Sequence, residues 1–414
     1  MSVNSIFATG LDAGSNYTRC VIALLEDDRL RLLGVGSVPS EGWAKSRISD
    51  QRAVSGCVLA AVEEAEAMAQ ATVATVVAGM GGLTARGANS RSRMDLGRPR
   101  EIEQRDINRA MDRAMHIQLT EDRMVLQLLP QDFVIDDHPG FHDPRKMLAS
   151  VIEANAHLVT ISSQEHNNLL GAINGAHLSV DETIYEAIAG CYAAVLPEER
   201  REGVAYIDIG AHSTELVCYY GESAQLAHSL RICGDHFSRD LAHALRIPLE
   251  SAAIVKHEFG GAVAHGTAQN SIVELPMIDS HATGSHAIDS HGRESREPRE
   301  AGRKFINEIL ESRAVELFEM VRAELARAGM QRAIASGLVI SGGGALLPGI
   351  CDVAERVLEC PARIGLAQGF ADWPDDLNDP AWTAAAGLAM YAARLRSQVD
   401  LERRSVGMLG RILR

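Results

Sequence analysis

Val204-Ala205-Tyr206-Ile207-Asp208-Ile209-Gly210-Ala211-His212-Ser213-Thr214-Glu215-Leu216-Val217-Cys218-Tyr219-Tyr220 reads as two β-strands, Val204–Ile207 and Thr214–Tyr220, folded about an aspartate-headed glycine turn. β-Branched and aromatic residues crowd both runs, and turn residues separate them. A third run, Ala224–Leu230, follows the turn Gly221-Glu222. The same order opens the chain: strand Ser5–Leu11, turn Asp12-Ala13-Gly14-Ser15-Asn16, strand Thr18–Leu25, then Arg29–Val38 after Glu26-Asp27-Asp28. Two copies of strand, Asp-x-Gly turn, strand, strand imply an internal duplication, and a duplication fixes the architecture.

Around these repeats the pattern alternates. Val54, Val58, Ala61, Val62, Ala65 and Met68 recur at helical spacing, and the short β-branched run Thr72–Ala78 predicts a buried strand. Residues 85–162 mix Gly/Ser/Arg-rich turns with a charged helix, Glu101–Met115, and two strand-like runs, Arg123–Leu129 and Glu153–Ser162. This block reads as an inserted subdomain. Gln164–Ala176 and Asp181–Val195 predict helices, the second ending before the linker Pro197-Glu198-Glu199-Arg200-Arg201. Residues 267–303 lack periodicity and read as an exposed, mobile loop. A long amphipathic helix through Ile306, Leu310, Leu317, Phe318, Val321 and Leu325 follows. Then come strand Gly337–Ser341, the turn Gly342-Gly343-Gly344, and a helix with Pro348 in its first turn.

Composition narrows the function. The 414 residues are too many for one core and carry a net charge of −15, which disfavours phosphate backbones, so no nucleic-acid partner is expected. Seven scattered cysteines without a C-x-x-C pair suit a reducing compartment. No run reaches the roughly 18 apolar residues of a spanning helix, so any membrane contact is expected from the surface. His281, His286 and His291 match no zinc spacing.

Phosphates need convergent backbone N–H donors and no obstructing side chain, which glycine-rich turns provide. The turns at Asp12, at Asp208 and at Gly342 are candidates, and two facing aspartates suit a hydrated Mg²⁺. Any one such turn is also the pattern of a plain connection. Their combination is more telling. The two Asp-x-Gly turns, the helix Glu186–Val195, the triple-glycine turn and the final helix Thr383–Ala393 resemble the five segments of the actin/heat-shock-ATPase/hexokinase superfamily. Leu128–Phe133, Glu153–Thr160, Gly234-Asp235-His236, Gly342–Gly349 and Leu377–Thr383 further resemble the FtsA family of actin-like bacterial division proteins.

That resemblance implies an α/β, actin-like (ribonuclease H-like, duplicated) fold, with two domains flanking a nucleotide cleft and an inserted subdomain in the first. The first domain would take 1–84, 163–197 and the closing helix 371–395, around an insert of 85–162. The second would take 198–230 and 304–370 inside and 231–303 outside, leaving 396–414 as linker and tail. The resemblance also implies ATP and Mg as cofactors. Gly14, Ser15 and Asn16 would embrace the terminal phosphates from one side, and Gly210, Ala211, His212 and Ser213 from the other. Asp12 and Asp208 would position the Mg²⁺ waters, and Glu186 would orient the attacking water, although it also fits an ordinary helix glutamate. Gly234 and Lys256 would approach ribose and adenine opposite Gly342, Gly343, Gly344 and Ala345, while Lys256 alone also fits a solvated face. His212 and Glu215 depart from the usual glycine and aspartate, which favours binding over turnover.

The tail is cationic and amphipathic. Val406, Leu409, Ile412 and Leu413 share one side, flanked by Arg403, Arg404, Arg411 and Arg414, a pattern suited to an anionic membrane surface. The implied function is an ATP-binding adaptor at most slowly hydrolytic, polymerising with itself on the cytoplasmic face of the membrane at the septum. It would hold the C-terminal peptide of FtsZ and recruit later division proteins through 85–162. The alternative is an ATP-dependent small-molecule kinase of the same superfamily.

Overall fold

The computed structural model of the chain describes residues 6–276 and 299–412, with 400–412 described by backbone course alone. The first half is built on a five-stranded sheet in the order Ser179–Tyr185, Thr75–Met80, Ile6–Ala13, Tyr17–Glu26 and Arg29–Pro39. Its first hairpin is antiparallel with Asp12 opposite Arg19, and Thr75–Met80 lies parallel to Ile6–Ala13 on the other side. The second half repeats this wiring. Val204–Ile209 is antiparallel to Thr214–Tyr220, with Asp208 opposite Glu215, and parallel to Leu338–Ser341. In both halves the aspartate therefore ends a central strand held between an antiparallel and a parallel neighbour. The duplication read from the sequence is present in the topology.

Helices cover both faces of each sheet, as buried parallel strands require. Helix Gln51–Ala69, started by the Asp50 side chain accepting from the Arg52 and Ala53 amides, sets Val54, Val58, Ala61 and Ala65 on one face of the first sheet. Helix Thr383–Ile412 covers the other with Ala385, Leu388, Ala389 and Ala392. In the second half, helix Arg303–Arg327 buries Leu310, Leu317, Phe318 and Val321.

Residues inserted into the first half extend the sheet of the second. Beyond Ser223–Leu230 the nine-stranded sheet continues through Arg86–Glu101, Leu148–Ser162, Arg123–Ile135 and His138–Phe141. Helix Gln104–Met115 packs on this extension, and Ala110, Met111, Phe133, Ile152 and Ala154 make a small core of its own.

Several local expectations are corrected. The stretch 86–101, read as turns because of its glycines, proline and arginines, is one 16-residue strand, since pairing with apolar Leu148–Ser162 outweighs its weak intrinsic preference. Asp181–Val195 is not one helix. Ser179–Tyr185 is an edge strand paired in parallel with Thr75–Met80, and the helix is only Glu186–Ala194. Val180, Thr183, Ile184 and Tyr185 carried the β-branched and aromatic signal that the helical reading overlooked. The linker at 197–201 is a short helix, Pro197–Glu202. Pro348 precedes its helix, which starts at Ile350 after Gly349 turns at φ 80°. Within 267–303, Ile272–Glu274 pairs with Glu300–Gly302, and Val273 and Leu275 are buried in the second core. Residues 277–298, including His281, His286 and His291, lie outside the described residues.

The stretch 396–402 is helical rather than a linker, because no glycine or proline interrupts Leu388–Val406. Arg403, Arg404, Val406, Leu409, Arg411 and Ile412 continue that helix by backbone course, and Leu413 and Arg414 fall outside the described residues. No helix among the described residues is long and apolar enough to cross a membrane.

Candidate functional site

The halves enclose a cleft of about 570 Å³. Asp12, Gly14, Ser15 and Asn16 line it from the first half; Asp208 and Gly210 through Ser213 line it from the second. Glu186, Gly234, Lys256, Gly342, Gly343 and Gly344 join them, so residues spread over more than three hundred positions converge on one cavity. Ala345 does not. It turns into the core of the second half and is only 4% exposed, because the 3-10 turn Gly343–Leu346 points it inward.

Hydrogen bonds fix the lining loops. The Gly210 N–H donates to the Ser213 carbonyl at 2.9 Å, closing the second turn on itself. The carbonyls of Gly210 and Ala211 accept from the Gly234 and Asp235 amides at 2.8 and 3.0 Å, which ties that turn to the start of helix Gly234–Leu245. Lys256 Nζ donates to the Gly234 carbonyl at 3.1 Å, and burial lowers its pKa. Gly342 turns at φ 79° directly against the Asp208 carboxylate, a place where a Cβ would collide with it. Its N–H donates to the Pro380 carbonyl at 3.1 Å.

Beneath the loops, four carboxylates crowd one another. Burial pushes Asp12 up to about 6 against the pull of Arg19. Asp208 rises to about 7, through burial and then the charge of Asp12. Glu215 rises to about 8, through burial first and despite an N–H bond from Gly82. Glu186 is raised well above its ordinary value by burial, then by Glu215, Asp12 and Asp208. Arg19, whose guanidinium lies 5.0 Å from the Tyr17 ring and 5.4 Å from Trp382, lowers Asp12 and Asp208, while backbone N–H bonds lower Glu215. Oε2 of Glu215 has no partner. Such a cluster is short of positive charge, and a bound cation would oppose these shifts. Among the described residues no three His, Cys, Asp or Glu side chains converge to ligate a metal directly. A cation seated on one or two acids and keeping its waters is the arrangement that fits Mg²⁺.

His212 points along the mouth of the cleft. Its Nε2 lies 3.3 Å from Asp235 Oδ2, and its Nδ1 faces the Ser46 N–H at 3.4 Å. Asp235 is held below the usual carboxylate range: burial raises it, but the His212 hydrogen bond and nearby cations outweigh that.

The sequence reading missed Arg19, Ser46, Asp235, Glu215 as a cluster member, and the pair Gly81-Gly82. Two of these had a signal. Arg19 is the register partner of Asp12, which follows from the hairpin. Gly81-Gly82 ends the strand Thr75–Met80 just as Gly342-Gly343 ends Leu338–Ser341, so the duplication itself predicts it.

A family model described as cell division protein FtsA matches residues 205–387, and one described as the SHS2 domain inserted in FtsA matches 82–160. The FtsA of Borreliella burgdorferi is 31% identical over 393 residues, spanning 94% of this chain and 91% of that protein. This chain belongs to the FtsA cell division protein family. Pseudomonas aeruginosa FtsA is 28% identical over 389 residues, spanning 94% of this chain and 89% of its own length. Among solved structures, the PilM–PilN type IV pilus biogenesis complex superposes with a TM-score of 0.67 at 17% identity, covering 94% of this chain and 99% of that one. MreB5 of Spiroplasma citri bound to ADP superposes at 0.54 and 14% identity, covering 95% and 98%. These likenesses place this FtsA-family chain in the actin-like fold.

Proposed function

We propose that this chain is an ATP-binding adaptor of the division machinery that self-associates and joins an FtsZ filament to the cytoplasmic face of the membrane at the septum. The observation that carries the nucleotide reading is the pairing of Asp12 and Asp208 across one 570 Å³ cleft whose buried acids outnumber the nearby cation, Arg19. Gly14, Ser15 and Asn16 would hold the phosphates from one side and Gly210, Ala211, His212 and Ser213 from the other. Gly234, Lys256, Gly342, Gly343 and Gly344 would face the nucleoside. Arg19, which lines the cleft, would add positive charge to it. Asp12 and Asp208 would seat the Mg²⁺ waters; bound Mg²⁺ would supply the positive charge that the phosphates and the four acids share. Glu186, at the cleft floor, would orient a water. MreB5 of Spiroplasma citri, of the same fold, is solved bound to ADP and to AMPPNP, which supports this reading.

Family membership favours the adaptor over a small-molecule kinase. The insert at 85–162 would carry contacts to the next copy and to later division proteins. The second half would dock the FtsZ C-terminal peptide. The tail 403–414 would lie on anionic lipid.

Titration calorimetry with Mg·ATP tests the root of this proposal. Binding to the unaltered chain, weakened at least tenfold in D12N and in D208N, is the expected result, and no heat from any adenine nucleotide would overturn it. Co-sedimentation with phosphatidylglycerol-containing vesicles tests the membrane part. Pelleting should be lost on removing residues 403–414, and equal pelleting would remove that part alone.

A further inference from the structure

Glu215 belongs to the second half but completes a contact in the first. It is the register partner of Asp208, which lines the cleft, yet it sits below the cleft floor, only 3% exposed. From there its Oε1 accepts the N–H of Gly82 at 2.5 Å. Gly81 lies between the Glu215 and Glu186 carboxylates so closely that a Cβ would strike both. Gly81 and Gly82 are the stem through which the chain leaves strand Thr75–Met80 to enter the insert, which begins as strand Arg86–Glu101.

The insert is thus covalently part of the first half while its sheet belongs to the second. Arg86 pairs with His228 at the seam. Gln131 Nε2 donates to the Ala224 carbonyl and to Gln225 Oε1, both at 2.9 Å, and the Ser223 hydroxyl donates to the Gln131 carbonyl at 3.0 Å. A closing or opening of the cleft must therefore bend the stem or slide the seam. Glu215 joins the cleft strand to the stem through this bond.

We propose that Glu215 is a positioning residue that couples occupancy of the cleft to the placement of the insert through its bond to the Gly82 N–H. The reach matters: the longer glutamate spans from strand Thr214–Tyr220 to the stem, and an aspartate, one methylene shorter, does not. A glutamine keeps both the length and an acceptor oxygen for the same N–H. The inference rests on the nucleotide reading of the cleft.

Hydrogen exchange with and without Mg·ATP tests it, using the unaltered chain, E215D and E215Q, each at an ATP concentration shown by calorimetry to saturate it. In the unaltered chain, ATP is expected to slow exchange at least threefold at amides of Arg86–Glu101 and Arg123–Ile135 near the seam. E215D should lose that response in the insert while ATP still protects the cleft loops 12–16 and 210–213, and E215Q should keep it. Loss of the ATP response in the insert with cleft protection intact, and its return in E215Q, is what a merely structural role would not give. Retention of the insert response in E215D, its loss in E215Q, or ATP binding without any response in the unaltered insert would overturn the coupling and leave the nucleotide reading standing. Absence of ATP binding to the unaltered chain would overturn both.

Discussion

Across the mouth of the cleft the Ser46 hydroxyl donates to the His212 carbonyl at 2.7 Å, while the Ser46 N–H faces His212 Nδ1 at 3.4 Å. Ser46 belongs to the small hairpin of Trp43–Ala44 and Arg47–Ile48, whose Lys45 and Ser46 both turn at positive φ, so a strained tip of the first half clasps the 210–213 loop of the second. Arg47 adds an ion pair to Glu165 at 3.1 Å on the hairpin's own half. A hydroxyl-to-carbonyl bond is worth about 1 kcal/mol net. S46A is accordingly expected to release a fluorescent ATP analogue roughly fivefold faster in stopped flow, by the usual conversion of energy to rate. An unchanged release rate would show that the hairpin does not gate the cleft.

The buried acids give the unliganded protein a defined pH response. A carboxyl whose pKa rises on folding holds its proton more tightly in the folded chain, so the stability it contributes is full below the unfolded value and is lost progressively until pH has climbed through the folded value. With Asp208 raised from 3.8 to about 7 and Glu215 from 4.5 to about 8, that loss begins at mildly acidic pH and is complete only near neutral and mildly alkaline pH. His157 acts on the other side. Burial holds it down to about 4 from 6.5, so stability also falls as pH drops through that interval. His157 offsets only one of these falling contributions, so Tm without Mg²⁺ should decline from about pH 5 to about pH 8. D208N should flatten the part of that decline below about pH 7 and raise Tm at neutral pH, even as it weakens ATP binding. A Tm that is flat or rising from about pH 5 to about pH 8 in the unaltered chain would contradict the assignment of these acids.

Within the insert, Asp106 receives both terminal nitrogens of Arg100 at 2.7 Å and the Glu103 N–H at 3.0 Å while only 2% exposed. The Arg100 bond, foremost, holds its carboxyl down to about 2. A lowered pKa contributes stability that is present above the ordinary carboxylate value and vanishes as pH falls toward 2. D106N breaks a charged bond and the capping box of helix Gln104–Met115, a loss of about 1–3 kcal/mol. Exchange should accelerate across 86–116 and stay unchanged in strand Ile6–Ala13. Uniform acceleration over the chain would mean that the insert does not open as a separate unit.

The parts legible in the sequence were those carried by local chemistry that repeats. Asp12 and Asp208 announced themselves because strand, turn and strand recur around each, and the cleft follows from placing two such units face to face. What escaped was set by pairing at a distance. Arg86–Glu101 has arginines, glycines and a proline that no local rule assigns to a strand, and only its partner Leu148–Ser162 makes it one. Ser179–Tyr185 was hidden by the helix that directly follows it. Glu215 was legible only as a departure from the usual aspartate, because its bond to Gly82 joins residues 133 positions apart. Ala345 was assigned to the cleft by its neighbours, and the turn that carries Gly343 and Gly344 outward carries it inward.

The contact between the last helix and helix Glu186–Ala194 depends on having no side chain at Gly387. A Cβ there would run into the Ala189 carbonyl and the Gly190 nitrogen, backbone atoms that cannot step aside without moving the helix that begins at Glu186. In an exposed helix, Gly→Ala stabilises by roughly 0.5–1 kcal/mol through backbone entropy. Gly56 in helix Gln51–Ala69 meets that condition, with nothing within 4 Å of an added Cβ. G56A should therefore raise stability to denaturant by about that amount, while G387A should lower it by about 1–3 kcal/mol, the ordinary penalty for overpacking. The opposite signs for one chemical change separate close packing from helix propensity. If both variants shift the urea midpoint the same way, the two helices do not meet backbone to backbone at Gly387, and the support of Glu186 at the cleft floor must come from elsewhere.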